Sequence, residues 1–183
     1  ASLLSISLYQ LPEENEHHHH RQNASSTHRH RGGGRTKTYM SQGIYRCRKV
    51  NMPKTKEGLT LRKAQRKDIE VLSQWFEAFH AEAVPHDPPV DGTEEARIKI
   101  NGGMVYVLEL NGKLVSMACW SRDIGTSCSV NLVYTPKEYR KQGYASVVTA
   151  KLTDWLLKSG KAETHLYTDM TNPTSNKIYH FCI

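Results

Sequence analysis

The sequence has no long apolar run. No stretch of its 183 residues approaches the roughly 20 consecutive apolar residues that a helix needs to cross a bilayer. The first eight residues are mildly apolar, but no basic segment precedes them and they are short for a secretory signal peptide. These absences predict a protein that has no membrane partner.

Cysteine is scarce, and its spacing matches no known kind of site. The four cysteines are Cys47, Cys119, Cys128 and Cys182, and no two of them form a CxxC pair. Such spacing indicates neither a zinc site nor a disulfide framework, so no bound metal is expected. Because unpaired thiols are typical of a reducing compartment, we expect a cytoplasmic protein.

Acidic residues are few in the first part of the chain. Residues 1–50 contain eight Lys or Arg and three Asp or Glu, a net charge of +5, whereas residues 51–183 have a net charge of +2. Residues 1–38 also contain the histidine run His17–His20 and little apolar surface to offset the entropy of ordering. We therefore predict a disordered His/Arg/Gly-rich tail at 1–38 and a linker at 39–57. The histidine run fits a solvated tail or a transition-metal site, and the remainder shows no basic patch that would indicate a nucleic-acid partner.

From Leu59 onward the pattern is that of a folded α/β domain, which we place at residues 58–183. Strands are predicted at 59–62, 104–110, 113–120, 128–134 and 164–168, and helices at 67–80, 93–100, 144–158 and from Pro173. Asn111-Gly112 is a strong signal for a two-residue hairpin turn. The strands that flank helix 144–158 should be parallel and joined by a right-handed crossover. The predicted fold is a mixed central sheet with flanking helices.

One junction between a strand and a helix has features of a binding site. An apolar strand that ends at Tyr134 leads through a loop to Gly143 and a predicted helix. A helix N-terminus presents unpaired N–H groups and about half a positive charge. Gly143 lets a ligand approach the backbone, and Arg140 and Lys141 add positive charge. Such a site suits a diphosphate, although a glycine after two basic residues also occurs in ordinary loops.

Two motifs resemble those of the GNAT superfamily of N-acetyltransferases. The first is the strand Leu132–Tyr134 followed by Arg140-Lys141-Gln142-Gly143-Tyr144-Ala145, which is similar to the family signature Arg/Gln-x-x-Gly-x-Gly/Ala. The second, from Tyr167 to Tyr179, resembles the family's next strand and its Asn-to-Tyr helix. The resemblance extends from about Leu59 to Tyr179 and implies a GNAT-like acyl-CoA N-acyltransferase fold. Residues 39–53 resemble the linker before the catalytic half of longer, two-part members.

The resemblance implies acetyl-CoA as the acyl donor and assigns residues to its site. Backbone groups of Leu132, Val133 and Tyr134 would pair with the pantetheine arm, as an added strand pairs with a sheet edge. In this family a bulge separates that strand from its parallel neighbour, here Thr164–Thr168, and opens a cleft for the thioester. The Asn172 side chain would contact the cofactor. The pyrophosphate would be held by the N–H groups of Arg140, Lys141, Gln142, Gly143, Tyr144, Ala145 and Ser146.

The resemblance also implies a reaction. A primary amine, unidentified from the sequence, would attack the acetyl carbonyl directly in a ternary complex, and Tyr179 would protonate the departing thiolate. From the pattern alone, a position on the core face of the last helix explains Tyr179 better than a catalytic role, and it is the resemblance that favours catalysis. Four residues are candidates to deprotonate the amine, although an ordinary surface or loop role explains each of them better: Glu82, His86, Glu109 and Asp169.

Family members usually continue beyond the tyrosine helix with two more strands. The sequence ends at Ile183, so we expect a fold that lacks its last two strands and leaves an open sheet edge. Two alternatives to an active acetyltransferase follow. One is a degenerate or truncated CoA-binding module without turnover, and the other is a basic, histidine-rich interaction protein that merely shares the fold.

Overall fold

The chain folds into a mixed seven-stranded sheet with helices packed on both faces. The computed structural model describes residues 23–27, 38–85, 87–173, 175, 176 and 178. In chain order the elements are β1 (Asn23–Thr27), β2 (Thr38–Cys47), β3 (Leu59–Lys63), α1 (Ile69–Ala83), α2 (Gly92–Asn101), β4 (Val105–Leu110), β5 (Lys113–Ile124), β6 (Ser127–Tyr134), α3 (Tyr144–Lys158) and β7 (Glu163–Asp169). A last helical segment begins at Pro173. No helix in these ranges is long and apolar enough to cross a membrane.

The strands lie in the order β1-β2-β7-β6-β5-β4-β3. Every neighbouring pair is antiparallel except β6 and β7, which are parallel and are connected through α3. The predicted mixed sheet and its parallel pair are therefore confirmed. The predicted hairpin turn is also present, because Asn111 and Gly112 adopt φ angles of 50° and 82° between β4 and β5.

Two apolar clusters hold the helices on opposite faces of the sheet. On one face, α3 packs Val148 and Leu152 against strand residues that include Val130 and Leu166. On the other face, α1 and α2 cover β4 and β5 through Leu72, Phe76, Ala96, Val107 and Met117. The helical period of the apolar residues in α1 and α3 produces these two contacts. The two faces of β6 therefore have different surroundings.

The start of α1 is fixed to the sheet by charged side chains. Arg62 on β3 donates from Nη1 and Nη2 to Asp68, over 2.7 and 3.0 Å, and from Nε to Glu109 on β4 over 2.7 Å. Asp68 also accepts from the Gln65 N–H at 2.7 Å. Because a guanidinium binds a carboxylate through two parallel bonds, this contact sets both the position and the direction of the helix start.

The outer edge of β7 is occupied by β2, where the sequence predicts a linker. The register runs from Gln42 opposite Asp169 to Cys47 opposite Thr164. The predicted linker at 39–57 thus differs from the structure up to Cys47, and the expected open edge is paired. Most of the predicted tail at 1–38 lies outside the described residues, but Asn23–Thr27 forms β1 beside β2. β2 contains Gly43 and shows no regular alternation of apolar and polar side chains, so no local pattern predicts this strand, and its pairing with β7 holds it in place.

Candidate functional site

A bulge in β6 lies where the resemblance implies one. Cys119 pairs with Asn131 and Met117 pairs with Tyr134, so two steps along β5 correspond to three along β6. The extra residue falls at Leu132 and Val133, and Leu132 has a φ of 47°. Such a bulge bends its strand and leaves part of the ladder unpaired.

Strands β6 and β7 separate just before the bulge. Their last paired residues are Val130 and Leu166, although β6 continues to Tyr134 and β7 to Asp169. Within the described chain, no residue of β7 pairs with residues 131–134. The resulting cleft opens at the carboxyl ends of the two parallel strands. Backbone groups of Leu132, Val133 and Tyr134 on that side could pair with an extended ligand.

The N-terminus of α3 lies at the end of the same β6 strand. Gly143 is the N-cap residue with a φ of 83°, and the first turn has neither an acidic residue nor a side-chain cap. A Cβ built on Gly143 would meet no atom within 4 Å, so the space beside it is open. Tyr144 is buried in the α3-side core and anchors the turn. The arrangement offers backbone N–H groups and a helix dipole to an anion.

The Arg140 side chain is engaged within the protein. Its Nε donates to the Thr135 carbonyl at 2.8 Å, and its Nη2 donates to both Glu82 oxygens at 2.8 and 3.1 Å. The guanidinium also lies 5.6 Å from the centre of the Tyr134 ring. Burial raises the pKa of that tyrosine. Arg140 thus joins the loop to the end of α1, and its charge is balanced by Glu82.

A lysine that the motif does not include lies beside the loop. Lys56 Nζ donates to Gln142 Oε1 at 3.0 Å and to Tyr144 Oη at 3.4 Å, and lies 5.2 Å from the centre of the Tyr144 ring. The exposed Lys141 adopts a φ of 61° in the same loop. Neither lysine has a carboxylate partner among the described residues. Both could therefore give positive charge to a bound phosphate.

The segment after β7 is organised by asparagine side chains. Asn172 Oδ1 accepts from the Ser175 N–H at 3.1 Å, which caps the last helical segment. Asn176 donates to the carbonyls of Asp169 and Asn172, at 3.0 and 2.7 Å, and accepts from Tyr45 Oη of β2 at 2.9 Å. Asn176 was not predicted as a site residue, and its role depends on β2. The predicted catalytic residue Tyr179 lies outside the described residues.

The candidate bases from the sequence are mostly occupied. Glu82 pairs with Arg140 at 2.8 Å, and Glu109 pairs with Arg62 at 2.7 Å. Asp169 Oδ1 accepts from the Thr171 N–H at 2.9 Å. His86 lies outside the described residues. None of the three described carboxylates is brought to the cleft as an unengaged base.

The described cysteines are buried thiols. Burial raises the pKa of Cys119 to about 12, and it also raises the pKa values of Cys128 and Cys47. Cys119 and Cys128 form no disulfide. Because the thiolate is the reactive form, these side chains are poor nucleophiles at neutral pH. In the part of the chain that the structure covers, no group of three His, Cys, Asp or Glu side chains is placed to hold a metal ion.

Comparison with known proteins connects this geometry to one family. The model of the acetyltransferase (GNAT) family matches residues 69–182. No curated protein matches the chain.

Solved structures of acetyltransferases share the fold. A GNAT-family acetyltransferase from Colwellia psychrerythraea is 17% identical with a TM-score of 0.59, and the match covers 78% of this chain and 51% of that one. The chain thus spans about half the length of that protein. Ribosomal-protein-alanine N-acetyltransferase from Brucella melitensis is 18% identical, with a TM-score of 0.57 over 66% of this chain and 81% of that one. Spermidine N-acetyltransferase from Vibrio cholerae, in complex with CoA and spermine, is 16% identical, with a TM-score of 0.58 over 68% of this chain and 79% of that one.

Proposed function

This chain belongs to the acetyltransferase (GNAT) family, and on that premise we propose that it transfers an acetyl group from acetyl-CoA to a primary amine by direct attack in a ternary complex. The observation that supports this most is the separation of β6 from β7 beside the N-terminus of α3. An unpaired strand edge and an uncapped helix start, close together, suit a ligand with an extended amide arm and a diphosphate.

The cofactor would lie along β6 and end at α3. Backbone groups of Leu132, Val133 and Tyr134 would pair with the pantetheine arm on the side that β7 leaves open. The pyrophosphate would be held by N–H groups from Lys141 to Ser146, with Lys56 and Lys141 nearby. The Arg140 N–H, which the resemblance also assigns to this role, instead donates to the Lys137 carbonyl at 3.3 Å. Asn172 would contact the cofactor from the segment after β7, and its cap of the last helical segment holds it in place.

The chain's own residues would act mainly by position. Bound acetyl-CoA supplies the activated acetyl group, and the cleft would hold its carbonyl against the bulge, where a backbone N–H of β6 could polarise it. Holding both reactants in one site can contribute up to roughly 7–11 kcal/mol. Tyr179 would protonate the leaving thiolate. Direct transfer agrees with the burial of the described cysteines. A cytoplasmic location is part of the same proposal.

Two measurements, made one after the other, test the proposal. The first is calorimetric titration of the full chain with acetyl-CoA. The second is release of CoA in the presence of ethylamine, spermine or a peptide with an N-terminal alanine, the last two chosen because the Vibrio and Brucella proteins are described by those acceptors. Binding followed by acceptor-dependent release is expected.

The variant Tyr179→Phe separates the enzyme from the degenerate module. It should keep acetyl-CoA binding and lose most of the turnover, by about 10²–10⁴-fold if the phenol is the general acid. Binding by the parent with no turnover would favour the module without activity. No binding at all would contradict the proposed function.

A further inference from the structure

The face of the sheet opposite α3 has a row of polar side chains beside the cleft. Ser121 on β5 pairs with Ser129 on β6, which pairs with His165 on β7, and Asn131 pairs with Cys119. Paired residues on neighbouring strands point to the same face. Because Cys119 belongs to the cluster under α1 and α2, this whole row lies on that side. Asn131 is the first β6 residue after the strands separate.

The Asn131 amide has one end without a partner. Its Nδ2 donates to Ser121 Oγ at 2.6 Å, while its Oδ1 is buried and accepts no hydrogen bond from any described residue. A buried carbonyl oxygen without a donor is costly, and such atoms are few in native proteins. A cationic N–H donor from a ligand would satisfy it. This oxygen is therefore suited to the ammonium group of an acceptor.

His165 lies one strand away on the same face. Its Nε2 is 3.2 Å from Glu163 Oε1, and the two side chains are 22% and 18% exposed. The other oxygen of Glu163 accepts from Arg48 Nε at 2.9 Å, so the carboxylate is fixed. A protonated imidazole would form an ion pair with it. Histidine is the side chain that changes charge near neutral pH, and it serves as a general base in many enzymes.

We propose that the acceptor amine binds on this face, with Asn131 Oδ1 accepting a hydrogen bond from its ammonium group and His165 removing a proton from it. This rests on the proposed acetyl transfer and names the base of the same site. One proton passes from the amine to His165 Nδ1, while Nε2 faces Glu163. The freed nitrogen lone pair forms the C–N bond as the C–S bond breaks. A second proton leaves the nitrogen and ends on the departing sulfur, which gives the amide and the thiol of CoA.

Charged groups lie near His165 on three strands. Glu163 contacts it from its own strand. Arg46 on β2, in register with His165, and Arg48 both contact Glu163. On β5, Arg122 lies 4.8 Å from the centre of the Tyr167 ring. Only a neutral imidazole can accept a proton, so a reaction that uses His165 as its base should slow at acid pH.

The test compares two histidines in similar surroundings. His80 Nε2 is 3.0 Å from Glu95 Oε2 between α1 and α2, with side-chain exposures of 24% and 19%, and it has no part in the proposed site. The rate of CoA release with saturating acetyl-CoA and ethylamine is measured between about pH 5 and pH 9 for the parent, His165→Gln and His80→Gln. We expect His165→Gln to lower the rate by about 10²–10⁴-fold and to remove the decline at low pH. His80→Gln should resemble the parent.

The role of Asn131 is measured with the same probe. Asn131→Ala should raise the KM for ethylamine about tenfold with a smaller change in kcat, because it removes one charge-assisted hydrogen bond. Asn131→Asp, which keeps an acceptor oxygen, should restore most of the affinity. Unchanged KM in Asn131→Ala would contradict the binding role.

The remaining outcomes are also decisive. If the parent does not acetylate ethylamine, hydrolysis of acetyl-CoA by water is measured with the same variants, because water needs the same base. A pH profile of His165→Gln that matches the parent in either reaction would overturn the inference, as would neither reaction exceeding the uncatalysed rate. Calorimetric titration of every variant with acetyl-CoA separates failure of this inference from failure of the proposed function. If the proposed function is wrong, the parent will not bind acetyl-CoA.

Discussion

Three residues with positive φ lie along the path proposed for the cofactor. Leu132 has a φ of 47°, Lys141 of 61° and Gly143 of 83°. For residues other than glycine this conformation costs about 1–3 kcal/mol, and such residues concentrate at functional sites. Leu132 forms the bulge, and the other two shape the loop before α3. The site is thus formed largely by backbone conformation rather than by reactive side chains.

Replacement of Gly143 by valine should weaken acetyl-CoA binding by at least about tenfold. The side chain would strain the left-handed backbone by about 1–2 kcal/mol and would project into open space that we assign to the pyrophosphate. Calorimetric titration measures the effect. Gly125→Val is the matched control, since Gly125 has a φ of 60°, also meets no atom within 4 Å and lies in the β5–β6 turn. Equal losses of affinity in both variants would contradict the assignment.

Replacement of Lys56 by glutamine should weaken acetyl-CoA binding about two- to fivefold, the effect of one exposed charge. The loss should shrink as salt is added, because salt screens exposed charges. Titrations of the parent and the variant at two salt concentrations test this. Lys54→Gln removes the same charge two residues away and should leave affinity unchanged; an equal effect would show that only net charge matters.

The motif predicts the loop and the bulge, but it does not predict these neighbours. The resemblance includes Gly143 because its backbone conformation is local. Lys56 and Tyr144 are 88 residues apart, and Tyr45 and Asn176 are 131 apart. His165 and Glu163 are close in sequence, and their alternation on one strand was available as a signal. What was missing was the register that places His165 beside Ser129 and Glu163 beside Ser127.

At the scale of elements, the start of α1 depends on one buried carboxylate. Burial alone would raise the pKa of Asp68, but hydrogen bonds from Arg62 and from the Gln65 N–H outweigh burial and lower it. A carboxylate whose pKa is lowered by folding stabilises the folded state at any pH above its pKa in the unfolded chain. This contribution disappears as the pH falls through its pKa in the folded state.

Asp68→Asn should therefore destabilise the protein by about 1–3 kcal/mol at neutral pH. The difference from the parent should stay constant above about pH 5 and shrink below about pH 4. Urea unfolding at several pH values measures it. Asp154→Asn, which breaks the exposed pair with Lys158, should cost less than about 1 kcal/mol. If the loss of unfolding free energy in Asp68→Asn stays the same below about pH 4, the ion-pair explanation is contradicted.

Elements with a strong local pattern were predicted, and β1 and β2, which lack one, were not. The Asn-Gly turn, the helical periods of α1 and α3 and the parallel pair all follow from signals within a few residues. β2 has no such signal. Its backbone bonds to β7 join residues more than a hundred positions apart, as does the bond at 2.8 Å from the N–H of Met170, just after β7, to the Ser41 carbonyl.

At the scale of the whole molecule, β2 pairs with the edge of β7 that was expected to be open. Removal of residues 1–47 should therefore lower the unfolding temperature and promote aggregation, because a bare strand edge pairs with other chains. It should also weaken acetyl-CoA binding, since Tyr45 no longer holds Asn176. Scanning calorimetry and light scattering measure these effects.

The control for this deletion keeps both strands. Removal of residues 1–22 leaves β1 and β2 in the chain and should change the unfolding temperature much less. If the two deletions behave alike, or if the chain without residues 1–47 is as stable as the parent, then β2 does not support the domain.

The central claim is that the separated β6 edge and the start of α3 bind acetyl-CoA. Thermal unfolding of the full chain with and without acetyl-CoA tests it most directly. We expect one cooperative transition whose stability rises by about 2.7 kcal/mol at a ligand concentration one hundred times the dissociation constant, and Gly143→Val should need more ligand for the same rise. A cooperative transition that acetyl-CoA does not shift at any concentration would contradict the claim.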